Sequence, residues 1–196
     1  MTTLLPVADL DTFVSTRDSL HRVAEHVVAK ARYVDDREIR LTAFLGIEPG
    51  FPRELYEPAT TFDPDQPLDL DRSAAEVLAA WYGFTAEVLD QFASEIPEAT
   101  PSTRILWPEH FDQAFYTADA DEARRANYGA SPGDEGHPEP YLYVGPLDTI
   151  AANDYWNAAH FNGAVFSLSQ LLAAADPSAS ALQFLRTGRT LLAHAT

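Results

Sequence analysis

Apolar side chains recur at helical spacing near the start of the chain. Phe13, Leu20, Val23, Val27 and Ala31 fall on one side, and Arg22, Glu25, His26 and Lys30 crowd the other. This predicts an amphipathic helix over 9–33, ended by Asp35 and Asp36. The pattern then switches to period two, with Ile39, Leu41 and Ala43 alternating against Arg40 and Thr42, which predicts a strand over 38–45. Pro49, Pro52, Pro58, Pro64 and Pro67 break any regular element over 46–70 and predict an irregular loop there.

Helical periodicity returns with Val77, Leu78, Trp81, Thr85, Val88, Leu89 and Phe92. The segment Ser73-Ala-Ala-Glu76 reads as the capping box that opens this helix, and Pro97 stops it. A strongly apolar stretch, capped by Asn153 or Asp154, predicts a helix through about Ala175. After the break at Asp176-Pro177, a last helix is expected over 180–193. The order lacks a repeated strand–helix alternation, and no glycine-rich phosphate loop is present. The expectation is an α+β fold: a small antiparallel sheet, with strands near 38–45, 110–117, 126–131 and 141–145, packed against four helices in one globular domain over 1–196.

The three central strands carry the chemistry. Side chains alternate across a strand, so parity assigns each residue to a face. In 110–117 one face holds His110, Asp112, Ala114 and Tyr116; in 126–131 one face holds Asn127, Gly129 and Ser131. Ser131-Pro-Gly-Asp134 has the proline and glycine positions of a type II turn. Beyond the extended Gly136-His-Pro-Glu-Pro140 segment, Glu139, Tyr141 and Tyr143 share a face. If these faces coincide, His110, Asp112, Asn127, Ser131, Glu139, Tyr141 and Tyr143 converge as a ligand-binding wall. The plainer alternative is a half-solvated sheet whose outer face is polar for no chemical reason. Its composition argues against that, because His, Asn and paired Tyr are typical of walls that touch ligands.

Composition narrows the classes. Of 196 residues 46% are hydrophobic, including 11 Phe, 8 Tyr and 3 Trp, enough for a core. The formal charge is −17 and Lys30 is the sole lysine. Such a field repels phosphate backbones and anionic membranes, so neither a nucleic acid nor a membrane is expected as partner. Arg124-Arg125 is an isolated basic pair beside Asp119, Asp121 and Glu122. The absence of cysteine removes disulfides and thiolate chemistry. The acidic start lacks the pattern of a signal peptide, and no apolar run is long enough for a membrane span, so a cytoplasmic location is expected.

Trp107-Pro-Glu-His-Phe-Asp112, Asn127-Tyr-Gly-Ala-Ser-Pro-Gly-Asp134 and Pro138-Glu-Pro-Tyr-Leu-Tyr-Val144 resemble the W-P-x-H-F-D, N-Y-G-x-S-P-G-D and P-E-P-Y-x-Y-V signatures of an uncharacterised bacterial family. The resemblance extends to the helix Leu20-His-Arg-Val-Ala-Glu-His-Val27. That family has no established activity, so the resemblance implies membership and no catalytic role.

Other candidates have plainer readings. His21 and Glu25 share a helix face, as metal ligands do, but the spacing is not H-E-x-x-H and a solvated face beside Arg22 is the better expectation. His160 reads as a core or edge histidine of the 155–175 helix, which could close the pocket by packing over the sheet. Ser131 lacks a nucleophile elbow and reads as a turn residue. The four aspartates of 63–71 lack the glycine and closing glutamate of a calcium loop.

The first functional expectation is a small-molecule-binding domain with its pocket between the polar sheet face and a covering helix. The second is a metal-dependent hydrolase or lyase, in which His110 and His137 with Asp112 or Glu139 ligate a divalent metal that activates water. A third is a protein-interaction module using the sheet edge or the 46–70 loop.

Overall fold

A computed structural model describes residues 2–29 and 58–193. The expected strand at 38–45 and the part of the proline-rich loop up to residue 57 lie outside the described residues; 58–70 is irregular, as its prolines require.

Helix α1 spans Leu10–Val23, with the Asp9 carboxylate accepting from Thr12 N at 2.7 Å, and continues as a π-helical turn over Ala24–Ala29. Helix α2 covers Arg72–Glu95 and buries Val77, Leu78, Trp81, Phe84, Val88, Leu89 and Phe92, the stripe that its periodicity predicts. Its cap is Asp71, whose carboxylate accepts from Ala74 N, and not Ser73. Aspartate caps as well as serine. Its own amide also donates to Thr16 Oγ1 of α1 at 2.9 Å, a tertiary contact that no local pattern reveals.

Five strands follow: β1 Ile105–Trp107, β2 Asp112–Tyr116, β3 Ala126–Ser131, β4 Tyr141–Pro146 and β5 Ala164–Ser167. They form one antiparallel sheet in sequential order, β1-β2-β3-β4-β5. The chain ends in α3 Leu168–Ala173 and α4 Pro177–Leu192, the latter capped by Asp176. The fold is α+β, with four α-helices and an antiparallel sheet among the described residues. Phe115, Tyr128, Ala130, Leu142, Val144 and Ala164 of the sheet form one core with the apolar stripe of α2 and with Leu182, Leu185 and Leu192 of α4. Phe92 packs on Tyr128 with ring centroids 5.0 Å apart. No described helix is long and apolar enough to cross a membrane.

Two elements differ from expectation. His110 and Phe111 belong to the turn between β1 and β2, so the strand starts at Asp112. The helix expected to run to about Ala175 is instead an irregular segment, then β5, then the short α3. Asparagine amides outcompete the helix there. Asn153 Oδ1 does accept from Tyr155 N and Trp156 N, as a cap would, but no helix follows it. Asn157 exchanges two bonds with the Val165 backbone, and Asn162 bonds Pro146 O and Asp148 O. His160 is therefore an exposed residue of a loop, not a core histidine of a helix.

Candidate functional site

One face of the sheet packs on α2 and α4. On the other, register aligns Ser131 with Tyr141 and Tyr141 with Ser167, while Gly129 stands opposite both Ala114 and Tyr143. Asp112 extends the Ser131–Tyr141 row, one step beyond the Gln113↔Ala130 pair. The coincidence of faces expected from parity therefore holds for Asp112, Ser131, Tyr141 and Tyr143. Asn127 shares the face, but it pairs with Tyr116 and Gly145, is exposed, and sits roughly 13 Å along the strand from Ser131.

Gly129 makes the centre of this face possible. A Cβ there would stand 2.4 Å from Tyr143 Cζ. Its absence lets the Tyr143 ring cross over β3, so that its hydroxyl donates to Asp112 Oδ2 on β2. Asp112 is 5% exposed, and its other oxygen, Oδ1, is buried without a hydrogen-bond partner among the described residues. Burial pushes the carboxyl up to about 6, against the opposing pull of the Tyr143 hydroxyl bond and of His110, with Glu109 adding to the rise. Burial also raises both tyrosine hydroxyls, with the Asp112 charge next for Tyr143 and the bond to Asp134 next for Tyr141.

Two turns frame Asp112. The first joins β1 to β2 and places Phe111 at φ +52°, a conformation unfavourable for a bulky residue. Tertiary contacts hold it: the Tyr82 hydroxyl donates to Phe111 O, and the His21 ring stacks on Phe111 at 5.4 Å. The second turn is 131–134. Gly133 has φ +100°, as type II geometry requires, and its amide donates to Ser131 Oγ at 3.1 Å. Ser131 is thus a turn residue. Asp134 accepts from Gly136 N, His137 N and the Tyr141 hydroxyl.

Helix α1, not the 155–175 segment, stands across the cleft from this face and touches its turns at Pro108, Phe111 and Pro138. It buries a polar side: Arg17 and Glu25 are 6% and 1% exposed. Arg17 donates to Asp18 at 2.8 Å and to Pro138 O at 3.2 Å. The half-buried His21 hydrogen-bonds Pro108 O at 2.8 Å, and burial, the largest influence, lowers its affinity for a proton. The Glu25 carboxylate accepts from Ala59 N, Thr60 N and Thr60 Oγ1 at 2.6–2.8 Å, pinning the 59–61 loop beside the helix. The expected solvated face at His21 and Glu25 is overturned, because Pro108 and Phe111 cover His21 and the 59–60 backbone covers Glu25.

Between α1, the 59–61 loop, the two turns and the sheet lies a half-open cleft of about 730 Å³. Of the expected wall, His110, Asp112, Ser131, Tyr141 and Tyr143 line it. Asn127 and Glu139 do not; Glu139 bonds the amide and hydroxyl of Ser169 in the first turn of α3. His137 packs edge-on against Tyr141, 3.8 Å from Glu139 Oε1. The four residues expected to ligate a metal, His110, His137, Asp112 and Glu139, are thus split between the cleft and its outside. No group of three or more His, Asp or Glu among the described residues is arranged to hold a metal ion.

Sequence reasoning missed Arg17, the 59–61 loop, Phe161 and the role of Gly129. An interior strand glycine was the one available signal, since it marks a close approach. No family profile, curated protein sequence or solved structure matches the chain.

Proposed function

We propose that the protein is a small-molecule-binding domain whose site is the cleft between α1 and the polar face of the sheet. The observation that carries this reading is Asp112: a cleft-lining carboxylate 5% exposed, one oxygen held by Tyr143 and the other buried without a partner among the described residues. A buried unsatisfied carboxylate oxygen destabilises a fold, and such groups persist where a ligand completes them. The cleft volume suits a small organic molecule.

A fragment screen read by backbone amide chemical shifts tests this. Binding fragments are expected to move the amides of Thr60, Thr61, Gly133 and Asp134 together. Hits confined to other surfaces would sink the proposal.

A further inference from the structure

We propose that the cleft takes an amine-bearing ligand, its ammonium seated on Asp112 Oδ1 and the adjoining carbon skeleton lying along Tyr143 and Phe161. This rests on the reading of the cleft as a small-molecule site and names the class of molecule.

Three observations converge. The free oxygen of Asp112 demands a hydrogen-bond donor, since an ionised carboxylate only accepts. Tyr143 occupies the other oxygen, and Asp112 is itself one of the residues that line the cleft. Next, the wall beside it is aromatic. Tyr141 and Tyr143 have ring centroids 6.3 Å apart, and Phe161 meets Tyr143 edge-on at 6.1 Å. Aromatic faces attract cations and shield the alkyl part of an amine. Finally, the lining is anionic, with five carboxylates against two guanidiniums. Arg17 is already committed to Asp18 and Pro138 O, and Arg22 donates to Ser19 Oγ at 3.0 Å. Carboxylates stay in excess of guanidiniums in the lining, so a cation gains where an anion would be repelled. A quaternary ammonium would satisfy the charge but carries no N–H for Oδ1, so a primary or secondary amine fits better. The space beyond a bare amine holds a larger body.

The test uses the full chain and three matched probes: benzylamine, benzyl alcohol and benzoate, each titrated while the amides of Gly133, Asp134 and Tyr143 are followed by NMR. Benzylamine is expected to bind at least about tenfold more tightly than either of the others, and Asp112→Asn to weaken it at least about tenfold, the range for losing a hydrogen bond to a charged group. Phe161 is 38% exposed. Phe161→Ala leaves the core untouched and is expected to weaken benzylamine about threefold, in the range of an exposed cation–π contact. Should Asp112→Asn fail to fold, the probe ranking and Phe161→Ala still decide. If benzyl alcohol binds as well as benzylamine, or benzoate binds best, the amine proposal falls while the small-molecule site stands. If none of the three moves the cleft amides, the amine proposal falls, and the fragment screen decides the small-molecule site.

Discussion

Replacing Asp112 by Asn is expected to stabilise the protein, and by an amount that depends on pH. In the fold the Asp112 carboxyl titrates at about 6, against an ordinary value of 3.8. At ~1.4 kcal/mol per unit, keeping the ionised form buried destabilises the native state by about 3 kcal/mol. Because the folded value is the higher one, the native state holds more protons than the unfolded chain between pH 4 and 6. Stability therefore falls as pH rises through that window, with the full penalty present above it. Asn is nearly isosteric with the protonated acid and still offers an oxygen to the Tyr143 hydroxyl, so it removes the charge and keeps the bond. Urea unfolding of both proteins at pH 4, 6 and 8 measures the difference. It should be near zero at pH 4 and reach about 3 kcal/mol in favour of the variant at pH 8, equivalent to roughly 6–12 °C in melting temperature. Stabilisation with loss of ligand binding is the signature of a residue held for function rather than for the fold. An Asp112→Asn variant less stable than the parent at pH 8, or a difference independent of pH, would refute the reasoning.

Gly129→Ala places a methyl group 2.4 Å from Tyr143 Cζ. It should destabilise by about 1–3 kcal/mol, and the double variant with Tyr143→Ala should lose less than the sum of the singles; strict additivity in denaturant melts would show that the ring does not lie over β3. Glu25→Gln exchanges a charged acceptor for a neutral one at the amides of Ala59 and Thr60. Those amides should exchange hydrogen about 10–100-fold faster, in line with a loss of about 1–3 kcal/mol, and unchanged exchange would mean that Glu25 does not hold the loop.

How legible the protein was depends on the range of the interaction concerned. Period-two parity over 126–131 and 141–145 is a local property, and it placed Ser131, Tyr141 and Tyr143 on one face because strand pairing can only bring whole faces together. The stripe of α2 and the glycine of the 131–134 turn were readable for the same reason: 3.6-residue periodicity and a left-handed φ at Gly133 are set by neighbours in the chain. Other features were decided by residues far apart in sequence. The amides of Asn157 and Asn162 turned an apolar, helix-like run into a loop and an edge strand by bonding backbone groups several residues away. The amphipathic pattern of α1 put Arg22, Glu25 and His26 toward water, yet the tertiary fold buries Glu25 against the 59–60 backbone and lays Arg17 across Pro138. A helix stripe shows which side is apolar, but which loops and turns close over its polar side is set elsewhere in the chain. The buried state of Asp112 belongs to the same class. Its neighbours in sequence announce an alternating strand; only the tertiary fold, with Tyr143 crossing Gly129 to reach it, buries its carboxyl and raises it above the ordinary value.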